Sequence, residues 1–370
     1  MPEPRTAAPA HLPSPAEVHV LQAVKEYPSV SLLMTTEPGA VLARADVLKL
    51  QALAAQATAR VRGELSPTVT GPVLARLAGL VEQACDGPAA MSLAVYASAS
   101  TGAVVRLPIP VSDRAVVDPT FATRDLVRAL HRTPRHLVLA LNSGAARLFD
   151  CIGDSLLPAL TDDFPLTAKR RDSSVRGRAD RPGRTADAAG ETDFYRDVDD
   201  ALGAYLRLHP APLVLVGDPR ATATFQRMSR NCQRLAGSVR GNLVNAPAPE
   251  LSDRIRLVLA DYLRGRQDEA LQLVARRAGS GRVASGMPAA WTAAQCGVPE
   301  MLVVDESLYF PARLSVDGIT LTPADDREGA DVIDDAVDEL VELVLLRGGW
   351  IAFAAEGSLD DRQGVALVSR

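Results

Sequence analysis

Residues 169–190, KRRDSSVRGRADRPGRTADAAG, are too charged and too poor in apolar side chains to join a core. They carry seven basic residues, Lys169, Arg170, Arg171, Arg176, Arg178, Arg181 and Arg184, against three aspartates, Asp172, Asp180 and Asp187. Burying unpaired charge costs on the order of several kcal/mol per group, so the segment must face solvent or a charged partner. The whole chain has 40 basic and 45 acidic side chains; the segment is therefore +4 and the remainder −9. A run this long inside an α/β pattern is a functional or disordered loop, and its charge is attracted to a polyanion. Arginine, which supplies nearly all of that charge, suits bidentate phosphate contacts. The run contains no aromatic residue, so stacking on bases is not its mode of binding.

The pattern on either side of this loop sets the fold class, α/β, as three consecutive α/β domains. At 370 residues the chain exceeds one ordinary core. Residues 1–16, rich in proline and alanine, read as a disordered tail. Residues 17–133 read as an N-terminal α/β domain, with a strand over 29–34, helices over 43–62 and 72–84, and strands over 91–97 and 104–108. Residues 134–247 read as a mixed-sheet middle domain. It has a strand pair at 136–141 and 145–151, the basic loop at 169–190, and a helix capped by Thr192. A buried strand, LVLVGD, follows, and then a helix that ends at Gly237. Residues 248–370 read as an α/β/α sandwich, with helices over 251–264 and 268–278, a flexible GSGRVASG connector, and an acidic helix over 330–346.

Several chemistries find no support in the residues. The five histidines (His11, His19, His131, His136, His209) show no metal-ligand spacing, and Cys85, Cys151, Cys232 and Cys296 form no CxxC pair; no metal and no cofactor are expected. GSGRVASG follows a helix, not a strand, which is the wrong context for a dinucleotide fingerprint. There is no P-loop and no nucleophile elbow. No apolar run reaches 18 residues and no signal peptide is evident, so a cytoplasmic protein is expected. Arg227, Arg230 and Arg234, spaced three and four apart, would share one face of the helix after LVLVGD and form a second basic patch. Asp331, Asp334, Asp335, Asp338, Glu339 and Glu342 would face solvent or a basic protein partner.

The order of these parts resembles the bacterial members of the archaeo-eukaryotic class-1 peptide-chain release factor family, relatives of Pelota and Balon. RHLVLALNSGAARLF is similar to the strand pair opening the family's middle domain, and the basic loop, FYRDVDDAL and LVLVGD follow in the family's order. VASGMPAAWTAAQCGVPEMLVVDESL and LRGGWIAFAAEGSLDDRQGVALVSR are similar to its C-terminal domain. The resemblance implies a ribosome-associated protein acting near the aminoacyl-tRNA site in rescue, quality control or hibernation. It implies rRNA or the tRNA acceptor end as ligand, and a translational GTPase as a partner for the C-terminal domain. In the family the middle-domain loop ends in a Gly-Gly-Gln tip that places water against the peptidyl-tRNA ester. Here there is no glutamine between Gln83 and Gln226. The loop instead offers Gly177, Gly183 and Gly190 for backbone flexibility, and the reading leans away from an enzyme. Two alternatives stay open: a peptidyl-tRNA or RNA hydrolase using Asp180, Thr185 or Asp187, and a protein-interaction module that no longer binds ribosomes.

Overall fold

A computed structural model describes residues 14–161, 163–168, 184–232, 235–325 and 331–370, with the side chains of 184–189 outside that description. The chain divides into two compact units, one made of residues 1–133 and 267–370, the other of 134–266. Both are α/β, as the hydrophobic pattern indicates.

The first unit opens with α1 (Pro15–Gln22), capped by Ser14 and Glu17 acting reciprocally. Next come β1 (Ser29–Thr35), α2 (Arg44–Glu64), α3 (Pro67–Cys85), β2 (Ser92–Ala97), β3 (Gly102–Leu107), β4 (Arg114–Asp118) and α4 (Arg124–Arg132). The four strands form an antiparallel sheet ordered β3-β2-β1-β4. One sheet face, through Leu32, Met34 and Val95, meets α2 and α3 at Leu50, Val61 and Leu77. α3 starts at Pro67, not Pro72. Proline is free of cost only in the first turn, where its missing N–H would be unpaired anyway, and Pro67 takes that place, leaving Pro72 inside the helix.

The second unit contains β5 (Arg135–Leu141), β6 (Ala145–Ile152), β7 (Ser155–Pro158), β8 (Leu166–Thr167), α5 (Arg184–Leu208), β9 (Leu213–Gly217), α6 (Pro219–Met228) and β10 (Leu235–Arg240). Its mixed sheet is ordered β10-β9-β5-β6-β7, with β10, β9 and β5 parallel and β6 antiparallel to β5. α5 lays Phe194, Tyr195, Val198 and Leu202 on one side of the sheet with Phe225 of α6. α5 begins at Arg184, eight residues before the expected cap at Thr192, because the alanine-rich TADAAG continues the helix and one glycine costs only about 1 kcal/mol.

α7 (Ala248–Ala278) is one helix where two were expected. Gly265 is the only break in the pattern, and again a lone glycine does not end a helix. Leu251, Ile255 and Leu259 pack in the second unit's core, while Ala270 and Val274 pack in the first unit's.

The first unit is completed by β11 (Val283–Ser285), α8 (Met287–Cys296), β12 (Pro299–Asp305), β13 (Ala312–Leu314), β14 (Leu321–Pro323), β15 (Val332–Ile333), α9 (Ala336–Leu346), β16 (Trp350–Ala354) and β17 (Val365–Ser369). β11-β17-β12-β16 is a mixed sheet and β14-β13-β15 a small antiparallel one. The expected connector GSGRVASG holds β11 between Gly281 and Gly286, both with positive φ. The other face of the N-terminal sheet and α4 share a single core with this part: Leu33, Tyr96, Phe121 and Leu126 lie in one cluster with Trp291, Leu302, Leu340 and Phe353.

Candidate nucleic-acid interface

Because β5, β9 and β10 are parallel, their carboxyl ends fall side by side at Leu141, Gly217 and Arg240. Ligands of open α/β sheets gather at such ends. The three ends are tightly joined. The Gly241 N–H donates to the Gly217 carbonyl at 3.0 Å, and a Cβ on Gly217 would lie 2.6 Å from the Leu141 carbonyl oxygen. Asn142 turns the chain from β5 into β6: its Oδ1 accepts from the Gly144 and Ala145 N–H groups at 2.9 and 2.8 Å. Its Nδ2 donates to Asn242 Oδ1 at 3.2 Å, linking this turn to the end of β10.

Both flanks of the basic segment reach this same end. On one side β8 pairs with the first residues of β6, and the Ala168 N–H donates to the Gly144 carbonyl at 2.8 Å. On the other, α5 runs back to the start of β9, which directs its first turns towards the strands' carboxyl ends. Tyr195 stacks edge-on against Phe225 at 6.0 Å between centroids, and Glu191 lies 4.0 Å from Arg220. Arg220 is 83 % exposed at the start of α6. Arg240 is also exposed, and no ion pair or hydrogen bond is made by its side chain among the described residues.

Of the residues singled out in the sequence, Lys169, Arg170, Arg171, Arg176, Gly177, Arg178, Arg181, Gly183 and Arg234 lie outside the described residues. Arg184 and Gly190 are in α5, so the expected loop gives way to helix at 184. Arg227 and Arg230 do not share a helix face. α6 stops at Met228, so only Arg227 is helical and Arg230 follows the C-cap Ser229. The cause is Asp199 of α5, 7 % exposed. Its carboxylate accepts from Ser229 Oγ, from the Arg230 N–H at 3.0 Å and from Asn231 Nδ2 at 3.0 Å, drawing the chain out of the helix. Arg227 lies along its own helix, with Nε 3.3 Å from the Ala223 carbonyl. Sequence reasoning missed Arg220, Arg240, Asn142 and Asn242. NSG and GDPR, each directly after an apolar strand, were the available signal for Asn142 and Arg220; Arg240 and Asn242 had none beyond following a strand.

The expected solvated acidic face is also overturned. In the first unit Asp334, Asp335, Asp338 and Glu342 are 5, 3, 8 and 4 % exposed. They meet cations from the N-terminal segment. Arg60 Nη1 reaches Asp334 at 2.8 Å, Arg124 Nη1 lies 3.0 Å from Asp335, and the Arg124 N–H donates to Asp338 at 2.6 Å. Lys25 pairs with Glu342, and Thr120 donates to Glu339. Only Asp331, paired with Arg313 at 2.8 Å, stays at the surface. Beside this network lies a cavity of about 610 Å³ whose arginines are already matched: Arg114 and Arg128 hold Asp125 at 2.9 and 2.8 Å, and Arg132 holds Glu306. Among the described residues no His, Cys, Asp and Glu group could hold a metal ion, and no helix is long and apolar enough to cross a membrane.

Residues 135–297 match the family described as Bacterial archaeo-eukaryotic release factor family 3, the family to which the sequence pattern points. The match begins at β5, spans the second unit and α7, and ends after α8. Archaeoglobus fulgidus Pelota is 14% identical, over 96% of this chain and 91% of that one, with a TM-score of 0.36. Saccharomyces cerevisiae Dom34, a termination-like factor described as interacting with Hbs1, is 10% identical over 74% of this chain and 73% of that one, with a TM-score of 0.42. A ribosome-bound archaeal Pelota, described together with ABCE1, is 14% identical over 96% and 93%, with a TM-score of 0.41. No curated protein matches the chain.

Proposed function

Starting from a chain whose residues 135–297 match a release-factor family, we propose that this protein is a ribosome-associated factor. It binds rRNA, or the acceptor end of tRNA, near the aminoacyl-tRNA site and acts in rescue, quality control or hibernation without hydrolysing the peptidyl ester. The observation that carries this reading is the convergence of both flanks of the basic segment on the carboxyl ends of β5, β9 and β10, beside the exposed Arg220 and Arg240. Seven basic side chains on a segment rooted at a rigid sheet end form an electrostatic probe for phosphates, whose affinity comes mainly from released counterions. The segment lacks the Gly-Gly-Gln that would orient water at an ester, so positioning without chemistry is what its residues support. In this reading residues 134–247 are the RNA-contacting module. Residues 248–370 offer the surface for a translational GTPase, and the protein works in the cytoplasm.

Co-sedimentation with vacant and tRNA-loaded bacterial ribosomes across a salt series tests it. Binding that weakens steeply with salt is expected. Changing Lys169, Arg170, Arg171, Arg176, Arg178, Arg181 and Arg184 to alanine is expected to flatten the log–log slope by about 0.7–0.9 for each phosphate no longer neutralised. Absence of binding at low salt in both ribosome states overturns the reading. Salt-insensitive binding that the alanine variant retains refutes the role given to the basic segment. Release of peptide from loaded ribosomes would overturn the non-hydrolytic part alone.

A further inference from the structure

Within the first unit, the seam between residues 15–133 and 267–370 has an unusual charge count. The N-terminal side brings five cations, Lys25, Arg60, Arg114, Arg124 and Arg128, together with the carboxylates of Asp118 and Asp125. The C-terminal side brings Asp334, Asp335, Asp338, Glu339 and Glu342. Seven carboxylates thus face five cations, and Arg60 is shared further with Glu64 at 3.3 Å. Seams between chain segments normally balance their charges, because an unpaired ion removed from water is strongly penalised. Because Arg114 and Arg128 both hold Asp125, the five cations serve four acids, and Asp118, Asp338 and Glu339 have no cation of their own among the described residues.

Glu339 accepts from the Thr120 hydroxyl and is only half-buried, whereas Asp118 and Asp338 are buried. Asp118, 7 % exposed at the end of β4, accepts a long bond of 3.3 Å from the Asp334 N–H, its only one among the described residues, and Arg60, the cation whose charge acts on it, is spent on Asp334 and Glu64. Asp338 has Arg114 at 3.9 Å, too long for a hydrogen bond. Arg114 is committed to Asp125, and the Arg124 guanidinium to Asp335 and the Leu308 carbonyl. Among the described residues Asp338 Oδ2 has no hydrogen-bond partner although it is buried.

We propose that this seam is a proton-operated latch, closed while the buried Asp118 and Asp338 carry protons in place of cation partners and loosened when both ionise. The groups around each acid are mixed. Asp118 faces Arg60 of α2, Asp334 beyond β15 and Glu339 of α9, with Tyr27 nearby. Asp338 faces Arg124 and Asp125 of α4, Arg114 of β4, Asp335 at the start of α9, and Tyr96 of β2. Burial, followed by the Asp334 charge, pushes Asp118 up to about 8 against the partial relief from Arg60. Burial also holds Asp338 well above the carboxylate range, opposed by Arg124 and reinforced by Asp335. An opened seam returns both acids to values near 4. The closed form therefore binds protons more tightly. Its advantage is complete below about pH 4 and is lost as pH climbs, the last of it near 8. Acidification tightens the seam, and alkaline conditions free α9 and β4 from one another.

Hydrogen exchange on the full chain, expressed as protection factors from pH 6 to 9, reads the latch directly. Amides of β4, α4 and α9 are expected to lose protection at least about tenfold between pH 6 and 8, as expected when opening releases one or two protons. Amides of β5 and β9 in the other unit serve as the reference and are expected to stay level above pH 7. Asp118→Asn and Asp338→Asn, made singly, keep a neutral group in place and should each remove part of the pH slope. Equal protection at pH 6 and 8 in the unaltered protein overturns the latch, and that measurement decides even where a variant folds poorly. An undiminished slope in both folded variants also overturns it.

Discussion

Replacing Asp199 by alanine tests the account of why α6 ends where it does. The carboxylate is buried, and it accepts from Ser229 Oγ, the Arg230 N–H and Asn231 Nδ2; Asn231 also donates to the Asp199 carbonyl at 2.9 Å, a bond the change leaves intact. A hydrogen bond to a charged acceptor contributes about 1.5–3 kcal/mol, and a buried donor left without an acceptor costs about 1–3 kcal/mol. The three donors are only half-buried, so water recovers part of each loss, and a total of about 3 kcal/mol is reasonable. With a slope of about 2 kcal/mol per molar urea, the unfolding midpoint of the second unit should fall by about 1.5 M. Asp199→Asn keeps one oxygen acceptor and should lose less than half as much. Urea titration followed by far-UV circular dichroism makes the measurement on the full chain. A shift below about 0.3 M for the alanine variant would refute the claim that this carboxylate holds the turn between α6 and β10.

Three further outcomes follow from the same geometry. Gly217→Ala forces a Cβ against the Leu141 carbonyl, 2.6 Å away, and should lower stability by about 1–3 kcal/mol in the same titration, with ribosome binding weakened in step. Arg240→Ala should leave stability within about 0.5 kcal/mol while reducing the salt slope of RNA binding by about one. His136, buried in β5, has its pKa pushed below 6.5 by burial, against the Pro134 carbonyl, which favours the charged form. The folded state thus binds this proton less tightly than the unfolded one. The contribution of His136 is full above about pH 6.5 and lost on acidification, opposite in sign to the latch; an unchanged urea midpoint of the second unit between pH 7.5 and 5 would contradict it.

The strands were legible because they are continuous apolar runs. β1, β5 and β9 each fall within a residue or two of where hydrophobicity alone puts them. Helix ends were not. α6 stops because of a contact made far away in sequence, Asp199 to Arg230, whereas α5 and α7 run on through lone glycines that read as breaks. β4 and α4 went unread for a related reason: Arg114, Arg124 and Asp125 look like surface residues until the acids at 334–338 arrive to bury them. The same blindness turned a buried network into an expected solvated face. At the candidate interface the charge of residues 169–184 was visible directly, since composition needs no fold. Its neighbours Arg220 and Arg240 became relevant only once three parallel strands had brought their ends together.

The shared core of the first unit also has a consequence in time. Residues 15–133 leave the ribosome first, yet Leu33, Tyr96, Phe121 and Leu126 wait for partners beyond residue 286. At about 5–20 residues per second, the roughly 237 residues from 133 to the end take about ten to fifty seconds to be made. The second unit, contiguous in sequence, can finish folding during that interval. One face of the N-terminal sheet can close early on α2 and α3, while the other stays sticky and open until the last strands emerge. Newly made chains therefore pass through a stage in which a middle-born domain is complete and an older one is not. At that stage truncation, slow translation or crowding would steer the exposed face towards aggregation or a chaperone.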